Sequence, residues 1–113
     1  MTSQYIPDNW VVIFMNGEYD PHYKVLAGWS GGYTQGDSWR MNSGITRVEE
    51  GKNRYSFYGA SGSVYHCGKK SYGLKMNNAY IWNRLKDLYV NRVEMMPEDT
   101  DWMTVDWILS DDE

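Results

Sequence analysis

The stretch WVVIFMNG, residues 10–17, decides the fold that we predict for this chain. Its first six residues are β-branched, aromatic or otherwise apolar, which favours a strand. Asn16 and Gly17 follow at once, and both tolerate the positive φ that a two-residue hairpin turn requires. The next strand is expected within His22–Trp29, where Tyr23, Val25 and Ala27 alternate with Lys24, Leu26 and Gly28. The stretch therefore predicts an antiparallel hairpin near the start of the chain.

Further strands are predicted between turn signals that recur roughly every 8–12 residues, a spacing typical of antiparallel β structure. Gly31 and Gly44 mark two of these turns, and the polar stretch 50–53 marks a third. Such short connections favour a meander or a small barrel, because parallel βαβ units need long crossovers. The predicted strands are 38–42, 45–50, 54–58 and 63–67.

The apolar spacing changes to a helical period at Ile81, Leu85 and Leu88, which are four and three residues apart. This pattern predicts one amphipathic helix over about residues 78–90 that docks on the sheet by these three side chains. One of the two asparagines at positions 77 and 78 is the expected amino-terminal cap, because a side-chain oxygen there can accept from a free backbone N–H.

Beyond the helix, residues 93–95 are expected to form a short strand that Pro97 stops. Every second residue along 103–109 is then apolar, with Thr104, Asp106 and Ile108 between them, which predicts a terminal strand at a sheet edge, with a helix as the weaker alternative. An unpaired edge invites pairing with a second copy, so a homo-oligomer is also compatible with the sequence. The alternating apolar residues are Met103, Val105, Trp107 and Leu109.

Together these patterns predict a single domain over residues 1–113, with flexible termini at about 1–7 and 110–113. The predicted fold class is mainly β (α+β). It consists of a small antiparallel sheet, or an SH3-like or Sm-like small barrel, of roughly four to six short strands with one helix in the second half of the chain.

The composition fits a small compact domain rich in aromatic residues. Of the 113 residues, 42% are hydrophobic and 16% aromatic, with ten Tyr and six Trp. These side chains either fill a β core or form a binding surface. Cys67 is the single cysteine, so no disulfide within the chain is expected. No apolar run has the length of a membrane span and no secretory signal is visible, so we expect a cytoplasmic protein without a membrane partner.

Charge is distributed unevenly along the chain. Residues 52–92 contain eight basic residues and one acidic residue, whereas residues 94–113 contain eight acidic residues and no basic one. The acidic end can fold back on the basic body, or it can steer a basic partner. The sequence pI of about 5.1 argues against general nucleic-acid binding, which usually accompanies a basic domain.

No arrangement of residues in the sequence predicts catalysis, a cofactor or a metal site. His66 and Cys67 are adjacent, and on a strand their side chains point to opposite faces. Ser30 lies in GWSGG, which has the letters of a nucleophile elbow but lacks the helix that must follow it. The acidic residues of the last segment look solvated, not held in two different environments. We therefore expect a protein that is not an enzyme.

Two surfaces are predicted to bind a partner. The first is an aromatic surface for a protein partner, because Trp and Arg are typical anchors of protein interfaces. The alternative is a basic and aromatic segment for a nucleotide or single-stranded nucleic acid, in which rings stack on bases and cations meet phosphates. The first consists of Trp29, Tyr33, Trp39 and Arg40, and the second of Arg54, Tyr55, Tyr58, Tyr65, Lys69 and Lys70.

Three stretches carry a resemblance to a known group of proteins: VLAGWSGGYTQGDSWRMNSGITRVEE (25–50), YSFYGASGSVYHC (55–67) and SYGLKMNNAYIWNRL (71–85). They resemble small accessory proteins of large tailed phages, including marine cyanobacterial phages, over most of residues 8–109. The group has no defined activity, so no site residues are carried over. The resemblance implies a protein made in the bacterial host cytoplasm that binds a host or phage protein and so modulates host defence or takeover.

Overall fold

The structure is a computed structural model that describes residues 3–16, 21–31 and 36–107. These residues form eight strands and one helix. The strands are β1 (Gln4–Tyr5), β2 (Asn9–Met15), β3 (His22–Trp29), β4 (Ser38–Met41), β5 (Ile45–Glu50), β6 (Arg54–Gly59), β7 (Val64–Gly68) and β8 (Val93–Met95), and the helix is α1 (Met76–Leu88).

The strands form two four-stranded sheets. Sheet 1 has the order β1-β7-β6-β5, in which β1 pairs with β7 in parallel and the other pairs are antiparallel. Sheet 2 has the order β4-β3-β2-β8 and is antiparallel throughout. In the long β2–β3 pair, Asn9 lies opposite Gly28 and Met15 opposite His22. The hairpin predicted from residues 10–17 therefore forms the centre of sheet 2.

The first core fills the space between the two sheets. Trp10, Val12, Val25 and Ala27 project into it from sheet 2 and meet Phe57, among others, from sheet 1. The rings contact one another closely: Trp10 and Phe57 have centroids 5.4 Å apart. Aromatic side chains supply much of the volume of this core, at positions where many domains have Leu or Ile. Its other buried members are Ile45, Tyr65, Cys67, Trp102 and Trp107.

The second core lies on the opposite face of sheet 2, beneath the helix. Val11, Ile13 and Leu26 alternate with the residues of the first core and pack against α1. Residues 10–13 and 25–27 are consequently buried on both faces of the sheet. This explains why residues 10–13 form an uninterrupted apolar run, and why Leu26 interrupts the alternation expected along His22–Trp29. The helix contributes Ile81, Trp82 and Leu85 to this core.

Three buried asparagines join the start of α1 to the β2–β3 hairpin. Asn9 Nδ2 donates to Asn77 Oδ1 at 3.1 Å, and Asn77 Nδ2 donates back to Asn9 Oδ1 at 2.7 Å. Asn78 Nδ2 donates to the carbonyl of Leu26 at 3.3 Å, and Asn78 Oδ1 accepts from the backbone N–H of Lys75 at 2.9 Å. Because buried amides are costly unless they are hydrogen-bonded, this network restricts the position of the helix on the sheet.

The mainly β fold with one helix is confirmed, and several details differ from the expectation. Eight strands replace the predicted four to six, and they form two open sheets with no closed barrel in the described part of the chain. The helix spans Met76–Leu88 with Lys75 as its cap, so both asparagines lie in its first turn, from which Asn78 Oδ1 accepts from the Lys75 N–H. Leu88 was expected to dock, but it is 64% exposed and is not among the helix residues of the second core.

The predicted terminal strand is absent from residues 101–107, which form a turn and an irregular segment. Asp101 Oδ1 accepts from the backbone N–H of Met103, and Thr104 Oγ1 donates to the Asp101 carbonyl, so side chains compete with strand pairing here. Trp102 and Trp107 are buried in the first core. The edge on which self-association was expected does not form in these residues, and Leu109 lies outside the described residues.

Replacing Gly28 with Ala should destabilise the protein by about 2–3 kcal/mol, because forcing atoms into a packed site is costly. A Cβ at this position would overlap Oδ1 and Cγ of Asn77, which the buried network holds in place. Gly36→Ala is the control: its φ is +68°, and no atom of the described residues beyond its chain neighbours lies within 4 Å of the added Cβ, so only a backbone cost of about 1 kcal/mol is expected. Urea unfolding measures both, and equal losses would contradict the overlap.

Candidate functional site

The residues of the predicted aromatic surface lie on two faces of sheet 2. Trp39 pairs with Gly28 and therefore lies on the side of α1, whereas the next residue, Arg40, pairs with Ala27 on the side of the first core. Tyr33 lies outside the described residues. The surface expected around the first hairpins is thus divided, with Trp39 separate from Arg40.

Trp29 and Arg40 are brought together through Tyr5 on β1. The Trp29 and Tyr5 rings meet edge to face with centroids 6.3 Å apart, and Arg40 Cζ lies 4.6 Å from the Tyr5 ring centroid. Trp29 Nε1 donates to the carbonyl of Ile6 at 2.9 Å. These contacts connect the two sheets at one end of the sandwich. Trp29 and Arg40 therefore already interact with other residues of the same chain.

Among the described aromatic members of the set, Trp39 is the one that is exposed. Trp39 is 40% exposed, and β4 is one of the two outer strands of sheet 2, the other being β8. Val25 N–H donates to Asn42 Oδ1, and Asn42 N–H donates to the Val25 carbonyl, so this pair is hydrogen-bonded. Bonded and non-bonded positions alternate along an antiparallel pair, and Trp39 is three positions away. The backbone groups of Trp39 therefore point away from β3.

The basic and aromatic set is also divided, here by the period of two along β6 and β7. Tyr65 is buried in the first core, where burial raises its pKa to about 12. Tyr55 is half-buried on the same face, with Lys69 Nζ 5.0 Å from its ring centroid. Arg54 and Tyr58 point to the outer face. The three tyrosines therefore do not form a common platform for stacking bases, and Lys70 is exposed at the end of β7.

Tyr58 is held by its own neighbours on β5. Its hydroxyl donates to Glu49 Oε1 at 2.7 Å, and Arg47 Cζ lies 3.6 Å from its ring centroid. Arg47 also pairs with Glu49 at 2.7 Å. The hydrogen bonds from Arg47 and Tyr58 lower the pKa of Glu49. The face of this ring is thus covered by a guanidinium.

His66 and Cys67 face opposite sides of sheet 1, as the sequence predicts for neighbours on a strand. Cys67 is buried in the first core, and burial raises the pKa of its thiol well above the ordinary value. A buried neutral thiol is a poor nucleophile. In the part of the chain that the structure describes, no three His, Cys, Asp or Glu side chains form a group able to hold a metal ion.

His66 belongs to a polar row on the outer face of sheet 1 that the sequence analysis did not find. Its Nε2 lies 2.8 Å from Gln4 Oε1 and its Nδ1 lies 2.8 Å from Ser56 Oγ. The Gln4 oxygen can only accept, so the ring carries its proton on Nε2 and accepts the Ser56 hydroxyl proton on Nδ1. The pairing of Ser56 with His66 follows from the β6–β7 register, but the contact with β1 had no signal in the sequence.

The structure also bears on membrane association through its helix. In residues 3–16, 21–31 and 36–107, no helix is long and apolar enough to cross a membrane.

We expect His66 to titrate below the ordinary value of 6.5, because burial and the positive charge of Arg54 both lower its pKa. The stability that neutral His66 contributes is then present above about pH 6.5 and lost as the pH falls through the folded pKa. Ring NMR signals followed against pH measure the midpoint. Arg54→Gln should raise this midpoint, while Lys86→Gln, a distant change of equal charge, should not. A His66 titration midpoint above 6.5 in the wild type, or a midpoint that Arg54→Gln leaves unchanged, would contradict this account.

Comparison with protein-family models, with curated proteins and with solved structures finds no match to this chain. The resemblance to phage accessory proteins therefore stays an expectation from the sequence. The geometry of the described residues is the basis on which a function can be argued.

Proposed function

We propose that this protein is a non-enzymatic binding protein that recognises a protein partner along the edge of β4, with Trp39 as the anchor. The observation that carries the proposal is the position of Trp39, which combines a 40% exposed side chain with an outermost strand. Large aromatic side chains of this kind supply much of the binding energy at protein interfaces.

The mode of binding that suits this edge is strand addition. An extended segment of the partner pairs with the outward backbone groups of β4, and its side chains meet those of the edge strand. Ser38, Trp39 and Arg40 are all exposed, so the side chains of this edge are accessible to a partner in the described part of the chain. Arg40 and Trp39 then lie on either side of the added strand, because neighbouring residues alternate in direction.

Further exposed apolar residues lie on the same side of sheet 2 as Trp39. Met76 and Tyr80 are one turn apart on α1, and both are exposed, Met76 to 86%. The helix packs on β3 and β4. Exposed apolar side chains on an edge strand and on the helix that packs against it favour an interaction surface on this side of the sheet.

For the identity of the partner, we rely on the resemblance to phage accessory proteins that the sequence carries. In that context the partner is a host or phage protein in an infected bacterial cytoplasm, and binding modulates host defence or takeover. The anchor and the edge do not depend on this context, so the binding mode can be tested separately.

Replacing Trp39 with Ser should abolish capture of the partner, because losing a central aromatic anchor costs about 2 kcal/mol or more, roughly thirtyfold in affinity. Wild type, Trp39→Ser and Met103→Ser serve as baits in lysates of infected and uninfected bacteria, with captured proteins quantified by mass spectrometry. Met103 is 47% exposed and lies outside sheet 2, so its variant is the matched control.

The purified complex should also show slower amide exchange at Trp39, because strand addition protects its outward N–H. Captured proteins that are equally abundant for all three baits would contradict the proposal. So would a complex in which exchange at β4 is unchanged. Thermal melting of the two variants verifies that each bait is folded.

A further inference from the structure

A cleft of about 300 Å³ lies where the turn between β5 and β6 meets the end of β7. It is separate from the β4 edge, which belongs to sheet 2. Its lining combines lysine side chains with small polar residues and a glycine. The lining residues are Lys52, Asn53, Gly68, Lys69, Lys70 and Ser71.

Backbone hydrogen bonds hold the two sides of this cleft together. Lys69 N–H donates to the Asn53 carbonyl at 3.0 Å and links the two turns, while Ser71 N–H donates to the Gly68 carbonyl at 3.1 Å. The Gly68 carbonyl also accepts from Trp10 Nε1 at 2.7 Å, which connects the cleft to the first core. A Cβ on Gly68 would lie 2.6 Å from Ser71 Oγ, so a larger residue there would require the Ser71 hydroxyl to rotate away. The cleft is therefore preformed.

The charge in this cleft is positive and only partly neutralised. Lys69 Nζ pairs with Glu50 at 2.6 Å and is thereby fixed in place. Lys52 and Lys70 are exposed and make no ion pair within 4 Å among the described residues. Arg54 lies next to the cleft, opposite Gly68 in the β6–β7 pair. At least two ammonium groups thus remain for a ligand of opposite charge.

The polar groups beside these lysines favour phosphate over a carboxylate. A phosphate group offers several acceptor oxygens, and here the ammonium groups, the Asn53 amide and the Ser71 hydroxyl are donors at one site. Lysine binds phosphate as a point charge without the planar geometry that arginine imposes on carboxylates. A cleft near 300 Å³ is at the small end of ligand pockets, so it accommodates a phosphate or pyrophosphate and leaves the remainder of a larger ligand outside.

We propose that this cleft binds the phosphate group of a small phosphorylated ligand, with Lys52 and Lys70 supplying the charge and Asn53 and Ser71 supplying hydrogen bonds. The site goes beyond the proposed function and does not depend on it. The net charge of −4 opposes a long polyanion, and the buried Tyr65 is unavailable for stacking. A compact anion therefore fits the site better than a nucleic-acid strand.

Titration with pyrophosphate, ADP and a short oligothymidine at constant ionic strength tests this proposal. Calorimetry measures affinity, and amide NMR shifts locate the site in the unaltered protein. The double variant Lys52→Gln/Lys70→Gln removes two charges from the cleft. Arg84→Gln/Lys86→Gln also removes two positive charges, here from the exposed surface of α1, and serves as the matched control.

We expect pyrophosphate and ADP to bind with shifts at Lys70 and Ser71. The affinity should fall about tenfold or more in the cleft variant, because two charge-assisted contacts are lost, and less than about twofold in the control. Equal losses in both variants, or shifts located elsewhere, would overturn the proposal. Binding of the oligothymidine without binding of either small ligand would overturn it too.

Discussion

The reciprocal amide pair between Asn9 and Asn77 is the interaction on which the arrangement of sheet and helix depends. Each side chain donates to the other, at 3.1 and 2.7 Å, in a site from which solvent is excluded. If the two side chains separate, no water can replace the lost hydrogen bonds in this buried site. The hydrogen bonds therefore hold the two residues in one relative position. Because Asn77 lies directly over Gly28, the helix can approach β3 closely only where a side chain is missing.

This contact also decides which surfaces remain for a partner. The start of α1 lies over the β2–β3 hairpin, and the helix covers one face of sheet 2 while sheet 1 covers the other. Of the two outer strands of sheet 2, β4 and β8, it is β4 that carries the exposed Trp39, on the helix side. The basic cleft is built at the opposite sheet, where the turns around Lys52 and Lys70 meet. The two proposed sites are therefore consequences of the layering and lie on different sheets.

Much of this architecture could be predicted because it depends on local patterns. The apolar run before Asn16 and the alternation along residues 54–58 each predict a strand, and both strands exist. The division of Trp39 from Arg40 also follows from the period of two, although the predicted surface combined them. The continuous apolar run of β2 did not predict that the sheet is covered on both faces, because such a run is also typical of a buried helix segment.

The remainder depends on contacts between distant parts of the chain. The asparagines at 77 and 78 read as helix caps, because nothing nearby in sequence indicates that Asn9 is their partner. Apolar residues at every second position around Trp107 are typical of a strand. In the structure, however, this segment is irregular, and Trp107 is buried in the first core with the other large rings. The two-residue strand β1 is too short to have a pattern, and its parallel pairing with β7 brings Gln4 to His66.

A double-mutant cycle between Asn9→Ala and Asn77→Ala, measured by urea unfolding, tests the central claim most directly. Each single change removes one amide and leaves the other buried without its partner, whereas the double change removes both. The account predicts that the double variant loses less stability than the two single losses added together, by about 1–2 kcal/mol. Losses that add within about 0.5 kcal/mol would contradict it, since they would mean that the two side chains act independently.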